Sequence, residues 1–429
     1  QCALQTPGNW EQFLQDPEID TKVDSFCDKY PTCLPPTFYD VQTLIRTYLY
    51  DMDGSKSAGW SSRYMPGPKN VWANTRELTD YLVQVRLALR IAEGDNIHYL
   101  CAEDMVRLGL RDPEEAFVKD EAHGESKVKS ERWRLIWVSS MIDSLCQDIL
   151  HRKQNKADIS AYTAGDLTAQ AVGLGHDDNG IAHLGAAIDA MSKGLPLKGS
   201  DVIGWDFSVC RDAIYFDAER RVSRFPDFVR IGEDTPTTMP LTYPLDQHIK
   251  MSAALLYAEA AVNSCHAIVV GDEIWVFENY GITASGIPST SAQNSPIRSF
   301  TLAMAGAVDQ MAAGDDELHT GDVDVAVLEA IGQRIKPGSE TSSGPHGPVE
   351  FTSHSFTKVD GVWAATFENF PKMVAHMDLR RGPDSEPAED MLAGMRFALR
   401  HTPDAEAAFM AICRAMDWSL PQAQDISWD

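Results

Sequence analysis

An α+β protein of two or three packed lobes is the architecture this sequence predicts. Three observations carry that expectation. At 429 residues the chain is too long for one small core. Its middle alternates short apolar runs, bounded by turn residues, with helical stretches, and both ends read as helical. Apolar residues make up 44% and charged residues 23%, as in an ordinary folded protein.

Taken in order, Thr75 to Ile91 places Leu78, Tyr81, Leu82, Val85 and Leu89 at helical spacing, and Ser140 to Leu150 repeats the pattern. Both are expected as scaffold helices. Between them Phe117 to Trp137 is polar and irregular and holds Lys119, Lys127, Lys129, Arg132 and Arg134, the main basic concentration in the chain. Asp201 to Val209 reads as a strand running into a helix, and Met251 to Val262 as a mostly buried helix. Ala267 to Phe277 reads as a β-hairpin turning at Gly271-Asp272. A helix over Val323 to Ile331 precedes short strands around Val349 to Phe356 and Gly361 to Phe367. From Glu389 to Trp418 the tail is helical, with Met391, Met395, Phe397, Ala398, Phe409 and Ile412 as its apolar face.

The charge balance narrows the function classes. With 63 acidic and 37 basic residues the net charge is −26, opposite to the usual lean of a nucleic-acid-binding protein. Salt screens exposed charges beyond about 8 Å, so a local basic channel can still work inside an acidic envelope. The eight cysteines are dispersed without a Cys-x-x-Cys pair, which excludes a zinc ribbon or a dense disulfide framework and fits buried thiols in a reducing compartment. No run of about 18 apolar residues predicts a membrane span. A start at Gln1 without a basic or apolar leader points to proteolytic release from a precursor or to a cloning boundary. His176-Asp177-Asp178 has metal-ligand residue types, but adjacent side chains diverge, so a solvated turn or helix N-terminus is expected there.

Chemistry gathers at Asp201-Val-Ile-Gly-Trp-Asp206 and at Gly314-Asp315-Asp316. Alone, each is a common pattern in an acidic chain. Together, a carboxylate ending one apolar strand and a carboxylate pair in a tight turn can meet at neighbouring strand ends. There they repel unless divalent cations neutralise them, and two such ions about 3.5–4 Å apart serve in-line displacement at phosphate. Between the two lies Gly281 to Arg298, a flexible loop opening a helix whose first turns carry hydroxyls and an amide, suited to a ribose or phosphate.

With these residues the chain resembles the RNA-dependent RNA polymerases of positive-strand RNA viruses, most closely the sobemovirus, polerovirus and barnavirus group. The resemblance runs from about residue 55 to about 358, with six motifs in the family's order. Ser57-Ala-Gly59-Trp60 is similar to the template-guiding motif G. Lys119-Asp-Glu121 with Lys127 and Arg132-Trp-Arg134 is similar to motif F, which grips triphosphate; for Lys127 and Lys129 a solvated loop is the alternative. Asp201-x4-Asp206 resembles motif A, Ser285-Gly286 with Thr290 and Asn294 motif B, Gly314-Asp315-Asp316 motif C, and Phe351-Thr-Ser353-His354-Ser-Phe356 the primer grip, motif E.

The resemblance implies a closed right hand: fingers and fingertips over 1–166, palm over 167–266 and 281–358, a fingers hairpin over 267–280, and a small helical thumb over 359–429. It implies that Asp201 and Asp315 hold two Mg²⁺ or Mn²⁺ ions with Asp316 as a secondary partner, and that Lys119, Lys127, Arg132 and Arg134 neutralise phosphates. Asp206, Ser285, Gly286, Thr290 and Asn294 would bind the incoming nucleotide and its 2′-hydroxyl. Ser57, Gly59, Ser353 and His354 would touch template or primer, with a packed strand residue as the other reading of His354. Lys336 would protonate the leaving pyrophosphate, or Glu340 would occupy that position. The implied partners are single-stranded RNA template, nascent RNA, NTPs, a genome-linked protein primer and other viral replication proteins, in membrane-associated complexes of the host cytoplasm. A reverse transcriptase is the nearest rival, disfavoured by Asp206 and Gly314; an inactive RNA-binding scaffold is the other.

Overall fold

Among the described residues eleven strands form three sheets: β1 (Glu114–Val118), β2 (Leu135–Val138), β3 (Leu197–Gly199), β4 (Ala267–Val270), β5 (Glu273–Val276), β6 (Gln310–Ala313), β7 (Asp316–His319), β8 (Thr341–Ser343), β9 (Val349–Phe351), β10 (His354–Val359) and β11 (Val362–Phe367). The structure is a computed structural model that describes residues 10–36, 38–119, 125–129, 133–163, 169–173, 175–226, 245–278, 280–344, 347–380 and 389–418.

The first sheet has the order β2-β1-β4-β5. The hairpin expected at Gly271-Asp272 forms as β4 and β5 and joins β1 in parallel, with Glu114 opposite Ile268. Where the sequence reads as irregular between Phe117 and Trp137, β1 and β2 pair antiparallel, with Glu115 opposite Val138. The short apolar ends of that stretch are strands, and the polar residues form the connection between them.

Helix Arg76–Glu93 forms where its spacing predicts, with the opposite face inward. Leu78, Tyr81, Val85 and Leu89 are exposed, whereas Thr79, Val83, Leu87 and Arg90 are buried. The reason is electrostatic: Arg86 pairs with Asp112 and Asp143, and Arg90 with Asp143 and Glu259. A buried charge is tolerated only when paired, so helices Met141–Thr163 and Leu245–Asn263, which supply Asp143 and Glu259, dictate the face.

The second sheet, β6-β7-β3-β8, is antiparallel throughout and carries the candidate acids. Helices Arg211–Ser223 and Thr290–Met304 pack beneath it, Phe216 and Phe300 stacking at 4.0 Å between ring centroids. Trp10, Phe26 and Tyr30 of the N-terminal segment share that core. The third sheet, β11-β10-β9, seals against helix Asp178–Ser192, where a Cβ on Gly185 would run into the Trp363 indole. Helices Phe370–Arg380, Glu389–Leu399 and Ala405–Ala415 then close around their own core of Met377, Leu392, Met395, Leu399, Phe409 and Cys413. The tail is thus two helices broken near Asp404, which has a left-handed φ of 54°. Helix Phe370–Arg380 carries Pro371 in its first turn, a position that tolerates proline.

Among the described residues every cysteine is unpaired, and Cys27, Cys146, Cys210, Cys265 and Cys413 are buried. No helix among them is long and apolar enough to cross a membrane.

Candidate active site

Register brings the acids together. Lys198 of β3 lies opposite His319 of β7 in an antiparallel pair. Three residues on from Lys198 is Asp201, and three back from His319 is Asp316, so both fall at the same end of neighbouring strands. The turn that carries Asp315 is two residues long, closing the Ala313–Asp316 pair, and its first residue, Gly314, has a φ of 73°. Such turns match strand twist when glycine takes the left-handed position.

These carboxylates are close enough to feel one another. Burial, then the charges of Asp315, Asp201 and Glu317, push the Asp316 carboxyl up to about 6. Lys336 Nζ sits 3.1 Å from Asp201 Oδ2, and Lys336 N donates to Asp201 O at 2.8 Å. The donor set, carboxylate oxygens only, suits a hard divalent cation. Among the described residues no three His, Cys, Asp or Glu side chains form a ready-made cation cage. Asp201 is turned toward Lys336, but its side chain is 54% exposed and has room to rotate toward Asp315.

Next to the acids lies the loop 281–289, which leads into helix Thr290–Met304. Ser285 Oγ donates to Asp206 Oδ2 at 2.9 Å, and Thr283 N to Asp206 O at 2.8 Å. Burial and the nearby Asp315 charge raise Asp206, while Ser285 and Arg134 lower it. Gly286 has a φ of 112°, and a Cβ there would meet Trp137 O at 2.5 Å, so the loop approaches β2 only because this residue is glycine. Thr290 Oγ1 is within 3.0 Å of Ala284 O and 2.9 Å of Ile287 O, clasping the loop. Asn294 is buried, and no protein group meets its Oδ1.

In the first sheet, Lys119 N donates to Arg134 O at 2.8 Å, which sets these two cations side by side at the open end of the β1–β2 pair. Lys129 pairs with Glu125 at 2.5 Å on a short exposed helix. Arg132 and the side chain of Lys127 lie outside the described residues. Ser57 Oγ accepts from Gly59 N at 3.0 Å. A cleft of about 500 Å³ opens there, lined by Ser57 and Gly286 together with Tyr48, Lys56, Lys69, Phe117 and Arg152. In the third sheet, Ser353 is exposed in the β9–β10 turn, and His354 stacks on His176 at 3.9 Å. Asp177 caps helix Asp178–Ser192 by accepting from Gly180 N, as the helix N-terminus reading expects.

Sequence reasoning passed over four residues that the structure draws into the site. Arg298, Glu317 and Ser200 are joined beneath the acids by hydrogen bonds, and Ser295 accepts from Gly314 N in the turn that carries Asp315. One signal was available: Arg298 is the only charged residue in helix Thr290–Met304.

The architecture is that of the right-hand nucleic-acid polymerases. A sicinivirus 3Dpol RNA-dependent RNA polymerase shares it with a TM-score of 0.64 at 15% identity, over 93% of this chain and 80% of that one. Curated relatives are viral replication proteins. Protein P2-P3 of Poinsettia latent virus is 30% identical over 267 residues, 59% of this chain and 21% of the relative. Replicase polyprotein P2AB of Southern cowpea mosaic virus is 29% identical over 302 residues, 68% of this chain and 29% of the relative. The RNA-directed RNA polymerase of Mushroom bacilliform virus is 27% identical over 190 residues, 44% of each chain. The chain thus spans less than half the length of these relatives. No family model matches the sequence.

Proposed function

We propose that this chain synthesises RNA on an RNA template, adding nucleotides from NTPs with release of pyrophosphate, in viral genome replication and transcription. The observation that carries the reading is the convergence of Asp201, Asp315 and Asp316 at one sheet end beside the Asp206–Ser285 pair. Its likeness to viral replicases and to a viral polymerase fold supports it.

Asp201 and Asp315 would hold Mg²⁺ or Mn²⁺, with Asp316 assisting. Two bound ions would supply an activated 3′-hydroxyl and charge stabilisation at the phosphate. The chain's own residues do the rest by positioning, since phosphoryl transfer leaves a protein little covalent work. Lys119 and Arg134 reach triphosphate oxygens from the fingers. Asp206, Ser285 and Asn294 read the sugar hydroxyl. Lys336, seated on Asp201, would supply the proton to the leaving pyrophosphate. Template RNA follows the cleft between Ser57 and Gly286, where Tyr48 and Phe117 offer rings for bases and Lys56 and Lys69 offer charge for phosphates. A genome-linked protein primer and other replication proteins are the expected partners, in membrane-associated complexes of the host cytoplasm.

The test is nucleotide incorporation on a homopolymeric RNA template, with and without a short primer, across a Mg²⁺ and Mn²⁺ series. Asp315→Ala should reduce incorporation by several orders of magnitude while RNA binding persists. Appreciable incorporation by that variant with either metal would sink the assignment.

A further inference from the structure

One side chain beneath the acids touches every segment that carries them. Arg298 is fully buried in the middle of helix Thr290–Met304, four residues after Asn294. Its Nη2 donates to Ser200 Oγ at 3.0 Å and to Glu317 Oε1 at 3.3 Å, and its Nη1 donates to Gln333 Oε1 at 2.9 Å. Ser200 precedes Asp201, Glu317 follows Asp316, and Gln333 stands three residues before Lys336. The acceptors are in turn locked: Ser200 Oγ donates to Glu317 Oε1 at 2.7 Å, His319 Nδ1 lies 2.8 Å from Glu317 Oε2, and Thr301 Oγ1 donates to Gln333 Oε1 at 3.0 Å. One turn earlier on the same helix, Ser295 Oγ accepts from Gly314 N at 2.7 Å and pins the turn of Asp315.

We infer that Arg298 is the positioning residue of the cation site: through Ser200, Glu317 and Gln333 it fixes the relative placement of Asp201, Asp316 and Lys336. The planar guanidinium alone suits the task, since three acceptors from three segments are met by its fork, and a lysine ammonium on a flexible stem would not hold them in one plane. A positive charge buried under three carboxylates also limits their repulsion while leaving their outer oxygens to solvent. Glu317 serves as its counter-ion and takes no cation itself, being buried with both oxygens already hydrogen-bonded.

This inference rests on the proposed polymerase reading, and its test is read without catalysis as well as with it. The full chain is compared with Arg298→Lys and with the double variant Arg298→Met/Glu317→Leu, each checked for a single cooperative thermal transition. Mn²⁺ affinity is measured by electron paramagnetic resonance on protein without RNA or nucleotide, and kcat and KM for NTP by primer extension. The double variant replaces a buried ion pair by apolar side chains, a change that folded proteins often accept. It should fold and lose roughly 10–100-fold in Mn²⁺ affinity, with kcat falling in step and KM for NTP moving less. Arg298→Lys, with charge but no fork, should fall between. A folded double variant with wild-type Mn²⁺ affinity and kcat overturns the inference. If the double variant does not fold, Arg298→Lys decides, and wild-type Mn²⁺ affinity and kcat in it overturn the inference equally. Absence of RNA synthesis by the wild-type chain would sink the polymerase reading and leave the Mn²⁺ comparison to judge Arg298.

Discussion

Asp206 is raised above the ordinary carboxylate range, first by burial and further by the Asp315 charge, while Ser285, which donates to it at 2.9 Å, and Arg134 hold the shift back. A carboxylate so held can accept from a ribose 2′-hydroxyl, and a site built for that bond rejects a sugar that leaves it unmade. Asp206→Ala should therefore weaken NTP use strongly and dNTP use much less, narrowing the ratio of their kcat/KM values; equal losses would assign Asp206 to the fold or the metals. For Asp316 the expectation concerns pH. Its carboxyl is raised from 3.8 to about 6, so ionising it in the folded protein costs roughly 3 kcal/mol that the unfolded chain does not bear. The protonated form's advantage is complete below the unfolded value and is lost as pH rises through 6. Asp316→Asn should match the wild type in Tm near pH 4 and exceed it by pH 8, with added Mg²⁺ closing the gap by binding the wild type. A gap independent of pH would refute the shift. That the acids meet was legible in the sequence because each stands at a strand end or in the tight turn beside it. Arg298 was not, because Ser200, Gln333 and Glu317 meet it only through the fold.

Among the elements, the hairpin Ala267–Phe277 follows from its Gly271-Asp272 turn between β-branched and aromatic runs, although β5 is exposed along its whole length, and helix Leu245–Asn263 follows from its apolar face. Helix Arg76–Glu93 shows the limit of that signal. Its apolar stripe faces outward because Arg86 and Arg90 must reach acids on other elements, and those partners lie 26 or more residues away in sequence. The junction of β9 and β10 with the C-terminal helices is a second case invisible to patterning. His176 stacks on His354, Arg400 donates to His176 O, and Asp178 accepts from Arg400 and lies 3.1 Å from His401 Nε2. Burial, then His354 and Arg400, push His176 from the usual 6.5 down to about 4. A depressed histidine stabilises the fold fully above its unfolded value, and the contribution is lost as pH falls from 6.5 toward 4, a loss of up to about 3 kcal/mol. His176→Phe keeps a flat ring but cannot titrate. It should cost about 1 kcal/mol at pH 7.5, for the lost bond to Thr352 Oγ1, and become the more stable protein by pH 5 in urea titrations. Parallel pH curves for the two proteins would refute this coupling.

Across the whole molecule the question is how a chain of net charge −26 would hold the RNA proposed as its template. Much of the cationic charge is committed internally: Arg86, Arg90, Arg220, Arg221 and Arg298 are buried against carboxylates or amides. Of the cations lining the cleft, Arg152 is held by Asp51 and Asp148, and Lys56 lies 3.5 Å from Asp53. Lys69 is half-buried there, its pKa lowered by burial and partly restored by Asp53. A desolvated ammonium without full compensation gains the most from a phosphate, and screening confines the acidic envelope's repulsion to short range. RNA affinity should therefore fall steeply with salt, each phosphate neutralised adding about −0.7 to the log–log slope for a single strand. Lys69→Ala should weaken RNA binding in low salt and make the slope shallower by roughly 0.7, without changing KM for NTP once RNA is saturating. Arg134→Ala should do the reverse, raising KM for NTP with RNA affinity little changed, because it stands at the triphosphate side of Asp206. Measured together by fluorescence anisotropy and primer extension, the two variants separate the RNA path from the nucleotide path. A Lys69→Ala protein with an unaltered slope would mean that RNA travels elsewhere on the molecule and that the cleft beside Ser57 is not its route.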